Sequence, residues 1–365
     1  MNFMVFATLV AATTAIIAIG LALLPTLSPN GVVLGVRVPA NQADNPAVHA
    51  ALTGYRRAMI TVGVIATCVA FVGSAYPPTA IAVPAGLLFG FAAAYSTQRQ
   101  HLLRAKEDQG WFDGLHTAVS GRVARTQQEP SPVLAWALVL CSTAVTGLSA
   151  LVVASRWDEI PAEFPTHYGP SFEPDAWAAK SVASVFSLSL VNVAVIALLA
   201  FFAWLITSGR VSRRADRTED GLRRDIEAQH VGLRASAVLT FVVVTGLAAL
   251  QVVMPLPQFH DLLAPVTVAM LTLTTVCVIG LVASLVRVRV SSRQHTFATG
   301  DVESPDNDEH YKWGMFYYNP DDPAVIVDKR TGVGVDFNYA TWQGQAFLAV
   351  TLATLVGGLV FAFAL

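Results

Sequence analysis

Charge is what this chain has least of. Only 13% of its 365 residues are Asp, Glu, Lys or Arg, while 54% are hydrophobic. Soluble domains carry roughly 25% charged residues, so an ordinary soluble fold is excluded. All 25 Asp and Glu fall in loops or at the ends of apolar runs, and no Lys or Arg sits in the middle of one. Proton relays, ion-coupled carriers and intramembrane aspartyl proteases need an ionisable group at depth. Here they have none. Cysteine is scarce too: Cys68, Cys141 and Cys277 lie inside apolar runs, which leaves no disulfide for an outer loop. Zinc spacings, nucleophile elbows, metalloprotease helices and phosphate-binding loops are all missing. The expectation is a protein with no catalytic residue, no metal, no cofactor and no nucleic-acid partner.

What is present is a series of apolar runs near the twenty residues needed to cross a bilayer. They cover 3–24, 58–74, 78–95, 133–155, 181–207, 235–253, 262–286 and 346–365. The fold class expected is an all-α polytopic membrane protein with about eight transmembrane helices. The second and third runs are short, and a re-entrant pair there would reduce the crossings to six. Of the 23 Lys and Arg, 21 lie in segments 25–57, 96–132, 208–234 and 287–345. Basic residues mark the cytoplasmic side, which places both termini outside. Neutral polar residues in the runs, Asn192 and Gln251 above all, read as interhelical hydrogen-bonding groups. The close-spaced Gly86 and Gly90 read as a helix-packing site by the same principle.

Five regions follow. Residues 1–132 hold three helices, a GVRVP inner loop and an amphipathic inner segment. Residues 133–207 form a helix pair around an outer loop at 156–180. Residues 208–286 hold an Arg-rich inner segment and two helices. Residues 287–345 contain an acidic linker and a small cytoplasmic β-rich insert, and 346–365 form the last helix. Within 96–132, Leu102, Leu103, Trp111, Phe112 and Leu115 suggest a helix lying on the membrane surface. The Arg-rich segment reads as a solvated helix extension near anionic lipid. In the insert, aromatic 313–318, apolar 324–327 and alternating 333–339 predict a three-strand meander.

The outer loop is the densest signal. Prolines at 161, 165, 170 and 174 forbid a helix through it. Trp157, Phe164, Tyr168, Phe172 and Trp177 alternate with Asp158, Glu159, Glu163, Glu173 and Asp175 around His167. Amphipathic rings beside apolar runs suit a membrane interface, and a rigid, ring-rich loop also suits ligand binding. Candidate ligand contacts are Trp157, Glu159, Pro161, Glu163, Pro165, His167, Tyr168, Asp175 and Trp177. Both Trp rings are expected near the loop ends, toward bilayer or bundle, and His167 is expected to bond an acid or carbonyl of its own loop. His167 and His260, on unrelated loops, are too little to count as a metal site.

The pattern Trp157-x-x-Ile160-Pro161-x-x-Phe164-Pro165-x-His167-Tyr168-Gly169, followed by Pro174-Asp175-x-Trp177, resembles the signature loop of an uncharacterised bacterial membrane-protein family. That family includes SdpI-like immunity proteins. A second stretch resembles another uncharacterised domain often attached to the first. It runs from Asp308 through Lys312-Trp313-Gly314, Tyr317-Tyr318-Asn319-Pro320-Asp321-Asp322-Pro323 and Lys329-Arg330 to Asn338. The segment Gly35-Val36-Arg37-Val38-Pro39 is similar to the N-terminal motif of the same architecture. The resemblance implies a cytoplasmic motif of Arg37, Trp313, Tyr317, Asn319, Asp321, Asp322, Lys329 and Arg330. It also implies protection from a membrane-active peptide and, for some members, membrane capture of a cytosolic repressor. No segment here matches the C-terminal half of the immunity proteins, where the strand-rich insert stands instead.

The expected function is therefore a non-enzymatic sensor or immunity-type protein of the bacterial cytoplasmic membrane. Its partners are the lipid bilayer, a cationic peptide outside and a cytoplasmic regulator. Six outer acids against two outer bases favour a cationic ligand by steering. The alternative is a permease or flippase for a lipid or hydrophobic solute, with Asn192 and Gln251 lining its path.

Overall fold

Several helices run well past the thickness of a bilayer, because their apolar stretches continue into charged ends without a break in the helix. The structure, a computed structural model, describes residues 3–29, 31–76, 78–115, 131–169, 172–207, 219–293 and 305–364. In chain order come α1 (Phe3–Ala22), the one-turn α2 (Leu24–Leu27), β1 (Val32–Val33), β2 (Val36–Arg37), α3 (Pro46–Val72) and α4 (Thr79–Asp108). Next are α5 (Val133–Ser155), β3 (Glu163–Tyr168), β4 (Pro174–Ala179), the one-turn α6 (Val182–Val185) and α7 (Ser187–Thr207). The chain closes with α8 (Glu219–Val253), α9 (Leu263–Arg293), β5 (Tyr311–Lys312), β6 (Phe316–Tyr317), β7 (Ile326–Asp328), β8 (Val335–Phe337) and α10 (Trp342–Ala364).

Among the described residues, six helices are long and apolar enough to cross a membrane: α3, α4, α5, α7, α8 and α9. The architecture is that of an all-α, multi-pass membrane protein. Two further apolar helices, α1 and α10, have 20 and 23 residues. The second and third apolar runs are parts of much longer helices of 27 and 30 residues. Pro46 at the first helical position and the Asn45 side chain, accepting from the Ala47 amide at 2.9 Å, explain where α3 begins.

Helices α1, α3 and α4 pack as one group and α5, α7 and α8 as another, with α9 against both α8 and α1. A methyl added to Gly90 would lie 2.6 Å from Val62, so α3 and α4 touch there. Gly86 is different: a methyl there would meet nothing within 4 Å. Only one of the two glycines is a packing contact. Asn192 and Gln251 are 0% and 1% exposed. The Asn192 amide donates to the Val244 carbonyl at 3.3 Å, and Gln251 accepts from the Ser189 amide and donates to the Val185 carbonyl. Both join helices.

Three local expectations need correction. The segment after residue 96 is not a separate surface helix: α4 continues unbroken to Asp108, and Leu102 and Trp111 are buried at 0% and 2% exposure against α3 and the β1–β2 hairpin. The apolar residues served the interior, because a helix emerging from a bilayer still has neighbours to pack on. The outer loop, through which no helix runs, is an antiparallel β3–β4 hairpin. The insert before α10 is not one meander but two hairpins, β5–β6 and β7–β8, each a two-stranded sheet. The Arg-rich segment is described only from Glu219, where α8 begins; residues 208–218 lie outside the described residues, as do 116–130 and 294–304. The described part is not simply solvated, since Gln229, His230 and Leu233 are buried.

Candidate functional site

Two polar constellations stand at opposite ends of α5, α7 and α8. The first is the β3–β4 hairpin. Strand pairing sets Pro165 opposite Trp177, and the register slips on both sides of His167. Proline lacks an amide to donate, so a bulged edge is where a strand tolerates it. The hairpin closes through Gly169 and Glu173, whose amide and carbonyl bond at 2.9 Å.

An apolar underside holds it down. Ile160 and Phe164, each 3% exposed, pack with Val153, Val185 and Leu256. The Trp157 ring stacks on Phe186 at 6.3 Å, and Lys180 Nζ lies 5.0 Å from the Trp157 centroid. The turn before α9 adds a brace: Gln258 donates to Glu159 Oε2 at 2.5 Å, and His260 meets the Tyr168 ring edge-on at 6.5 Å. His260 thus faces Tyr168 and not His167. Among the described residues no group of three His, Cys, Asp or Glu could hold a metal.

On the upper side, His167 Nδ1 and Asp175 Oδ1 are 2.5 Å apart across the two strands. Glu159, Pro161, Glu163, His167, Asp175 and Trp177 are exposed, Trp177 by 59%. Pro165 is buried, and Trp157 and Tyr168 are half-buried. The Tyr168 phenol oxygen is buried without a partner among the described residues, and burial raises its pKa. The nine candidate contacts therefore divide into six at the surface and three facing the protein.

The second constellation centres on Asp308. Its carboxylate accepts from the Arg37 backbone amide at 2.9 Å, from Lys106 Nζ at 2.7 Å and from Arg330 Nη2. Arg330 is 1% exposed. Its Nε donates to the Gly35 carbonyl at 3.0 Å, its Nη1 to Asn307 at 2.6 Å, and its guanidinium lies 4.2 Å from the Tyr311 ring centroid. Lys106 also pairs with Asp306 at 2.7 Å. The GVRVP motif reaches this node because Leu34 and Gly35, at φ 48° and 73°, make the tight turn between β1 and β2.

Around Asn338, buried at 0% exposure, the Asn319-to-Pro323 turn is built from side chains. Asn338 Nδ2 donates to the Asn319 and Asp322 carbonyls at 2.8 and 3.0 Å, and its Oδ1 accepts from the Asn319 amide. Tyr317 donates to Asp322 at 2.7 Å. Of the motif residues, Arg37, Tyr317, Asn319, Asp322 and Arg330 are thus structural bonds, while Trp313, Asp321 and Lys329 are exposed. Sequence reading missed Lys106 and Asp308 as site members. Their partners lie 202 to 295 residues apart along the chain for Lys106–Asp308 and Arg330–Gly35, and no local spacing announces such pairs.

Burial and the bond to Asp322 push the Tyr317 pKa up to about 12 from an ordinary 10. A raised folded-state value stabilises fully below pH 10 and is lost as pH climbs through about 12. Tyr317→Phe should lower neutral-pH stability by about 1–3 kcal/mol, since Asp322 and Asn319 lose a partner. It should also flatten the alkaline fall, which Tyr339, raised by burial as well, retains in part. Chemical-denaturant unfolding against pH checks this; an unchanged alkaline slope would exclude Tyr317 as its source.

Comparison with known proteins marks both regions. Residues 144–193 match a domain of unknown function, DUF1648. Residues 320–345 match a family of unknown function, DUF5808. The first match encloses the whole β3–β4 hairpin and the adjoining parts of α5 and α7; the second runs from the Asn319-to-Pro323 turn through β7 and β8 into α10. No curated protein and no solved structure matches the chain. Each region has a domain of its own, and neither match carries an activity.

Proposed function

We propose that this chain is a non-enzymatic sensor or immunity-type protein of the bacterial cytoplasmic membrane that binds a cationic amphipathic peptide through the β3–β4 hairpin. One observation carries the reading: the hairpin presents exposed Glu163, Asp175 and Trp177 on its strands and Glu173 in its turn, and the strands pair only with each other among the described residues. An open strand edge accepts an extended peptide through its backbone, and the acids select a cationic one. The resemblance to SdpI-like immunity proteins agrees with such a ligand. In this reading α1 and α10 complete eight crossings, both termini lie outside, and the Asp308 node faces the cytoplasm near a regulator. The helix-joining bonds of Asn192 and Gln251 give the permease reading no support.

The combined variant Glu163→Gln, Glu173→Gln, Asp175→Asn tests the proposal. Three exposed charges at about 0.5 kcal/mol each predict roughly tenfold weaker binding of a cationic membrane-active peptide, with normal membrane abundance. A deletion strain should also gain sensitivity to at least one peptide of a panel. Unchanged sensitivity to every peptide, or wild-type binding by the triple variant, would overturn it.

A further inference from the structure

We infer that the groove between α3 and α4 is a binding site for a phospholipid with an anionic headgroup. The groove has a volume of about 640 Å³, inside the range of roughly 300–1,000 Å³ that suits small-molecule ligands. Val62 and Val69 of α3 and Val83 and Phe89 of α4 make it apolar along most of its length. Contact between Gly90 and Val62 holds the helices together, while the empty space beside Gly86 keeps the groove open. Phe89 is 79% exposed, so this wall is presented to whatever surrounds the bundle. In a chain of this composition that is lipid.

Polarity appears only at the end nearer β5–β8, where Thr97 and Gln98 join the lining. Gln98 lies close against Gly54 of α3, where a methyl would come within 2.8 Å of it. The same face of α4 continues to His101 and Arg104, four and seven residues beyond Thr97, and both are exposed. On α3, exposed Arg57 precedes the lining residue Ala58. An apolar trough with a basic mouth complements a molecule with a long chain and an anion at its end. Basic pockets between transmembrane helices bind lipid headgroups in this way. A second copy of the chain is the competing occupant of the trough.

The test uses the full chain in detergent, titrated with phosphatidylglycerol or phosphatidylcholine of identical acyl chains and read by native mass spectrometry. The wild type should retain phosphatidylglycerol at least tenfold better than phosphatidylcholine. Gly86→Leu, which fills open space, should cut that retention at least tenfold. Arg57→Ala with Arg104→Ala should bring the two lipids to equal retention; these side chains are exposed, so the comparison stands even where Gly86→Leu fails to fold. Equal retention of both lipids by the wild type would overturn the site. So would preference unchanged in the double variant, or a lipid-free dimer that Gly86→Leu dissociates, which would give the groove to a second copy.

Discussion

Asp308→Ala should detach the β5–β8 unit and the β1–β2 hairpin from the helix ends, at a cost of about 3–5 kcal/mol. The magnitude follows from what is left behind. Arg330 is 1% exposed, and without the carboxylate its buried charge loses the ion pair with Asp308. Lys106 keeps Asp306, so the loss falls on Arg330 and on the Arg37 amide. Hydrogen exchange over residues 305–342 and over 31–38 should rise together, because one carboxylate ties both segments. Replacing the pair with apolar groups, Asp308→Leu with Arg330→Met, should recover most of the stability, since no lone charge remains to be solvated. Protection unchanged in Asp308→Ala would show that the node is not what holds the two segments.

Gly35→Ala should be among the most damaging single methyls at the described glycines. The residue has φ 73°, a region that costs an alanine about 1–2 kcal/mol. The new methyl would also overlap the Gly314 carbonyl and the Tyr95 hydroxyl. Overpacking adds roughly 1–3 kcal/mol, for a total of about 2–5. Both neighbours are poorly placed to yield, Gly314 being backbone and Tyr95 only 3% exposed. Gly86→Ala is the control: it sits in a helix with open space beside it and should stabilise by about 0.5–1 kcal/mol. Thermal unfolding of the two variants in the same detergent decides the matter; equal midpoints would rule out the close approach at Gly35.

The membrane class was legible from composition, because water-exposed surface demands charge and this chain has little. The helices were legible where apolar runs were long. Their ends were not: α3 and α4 extend far beyond their apolar runs, since a helix can leave the bilayer without any change in its backbone bonding. The signature loop was recognisable from its prolines, rings and acids, yet its hairpin was not, because four prolines in 156–180 argue against strands unless a bulge absorbs them. The exposed acids of the loop were readable as charge. That Trp157, Pro165 and Tyr168 turn inward was not, since an amphipathic ring suits either side.

Sequence alone determined the class of molecule, its apolar helices, the dense polar loop and the GVRVP and NPDDP motifs. Each of these is a local property, written in composition, run length and turn chemistry. Tertiary structure alone decided that Asp308 gathers Arg37, Lys106 and Arg330 into one buried node, that Gly90 packs while Gly86 does not, and that Gln251 ties α8 to the start of α7. The physical reason is the same in each case. A buried charge or amide must find its partner within about 3 Å, and which residue arrives there depends on how helices hundreds of residues apart in the chain come to lie side by side.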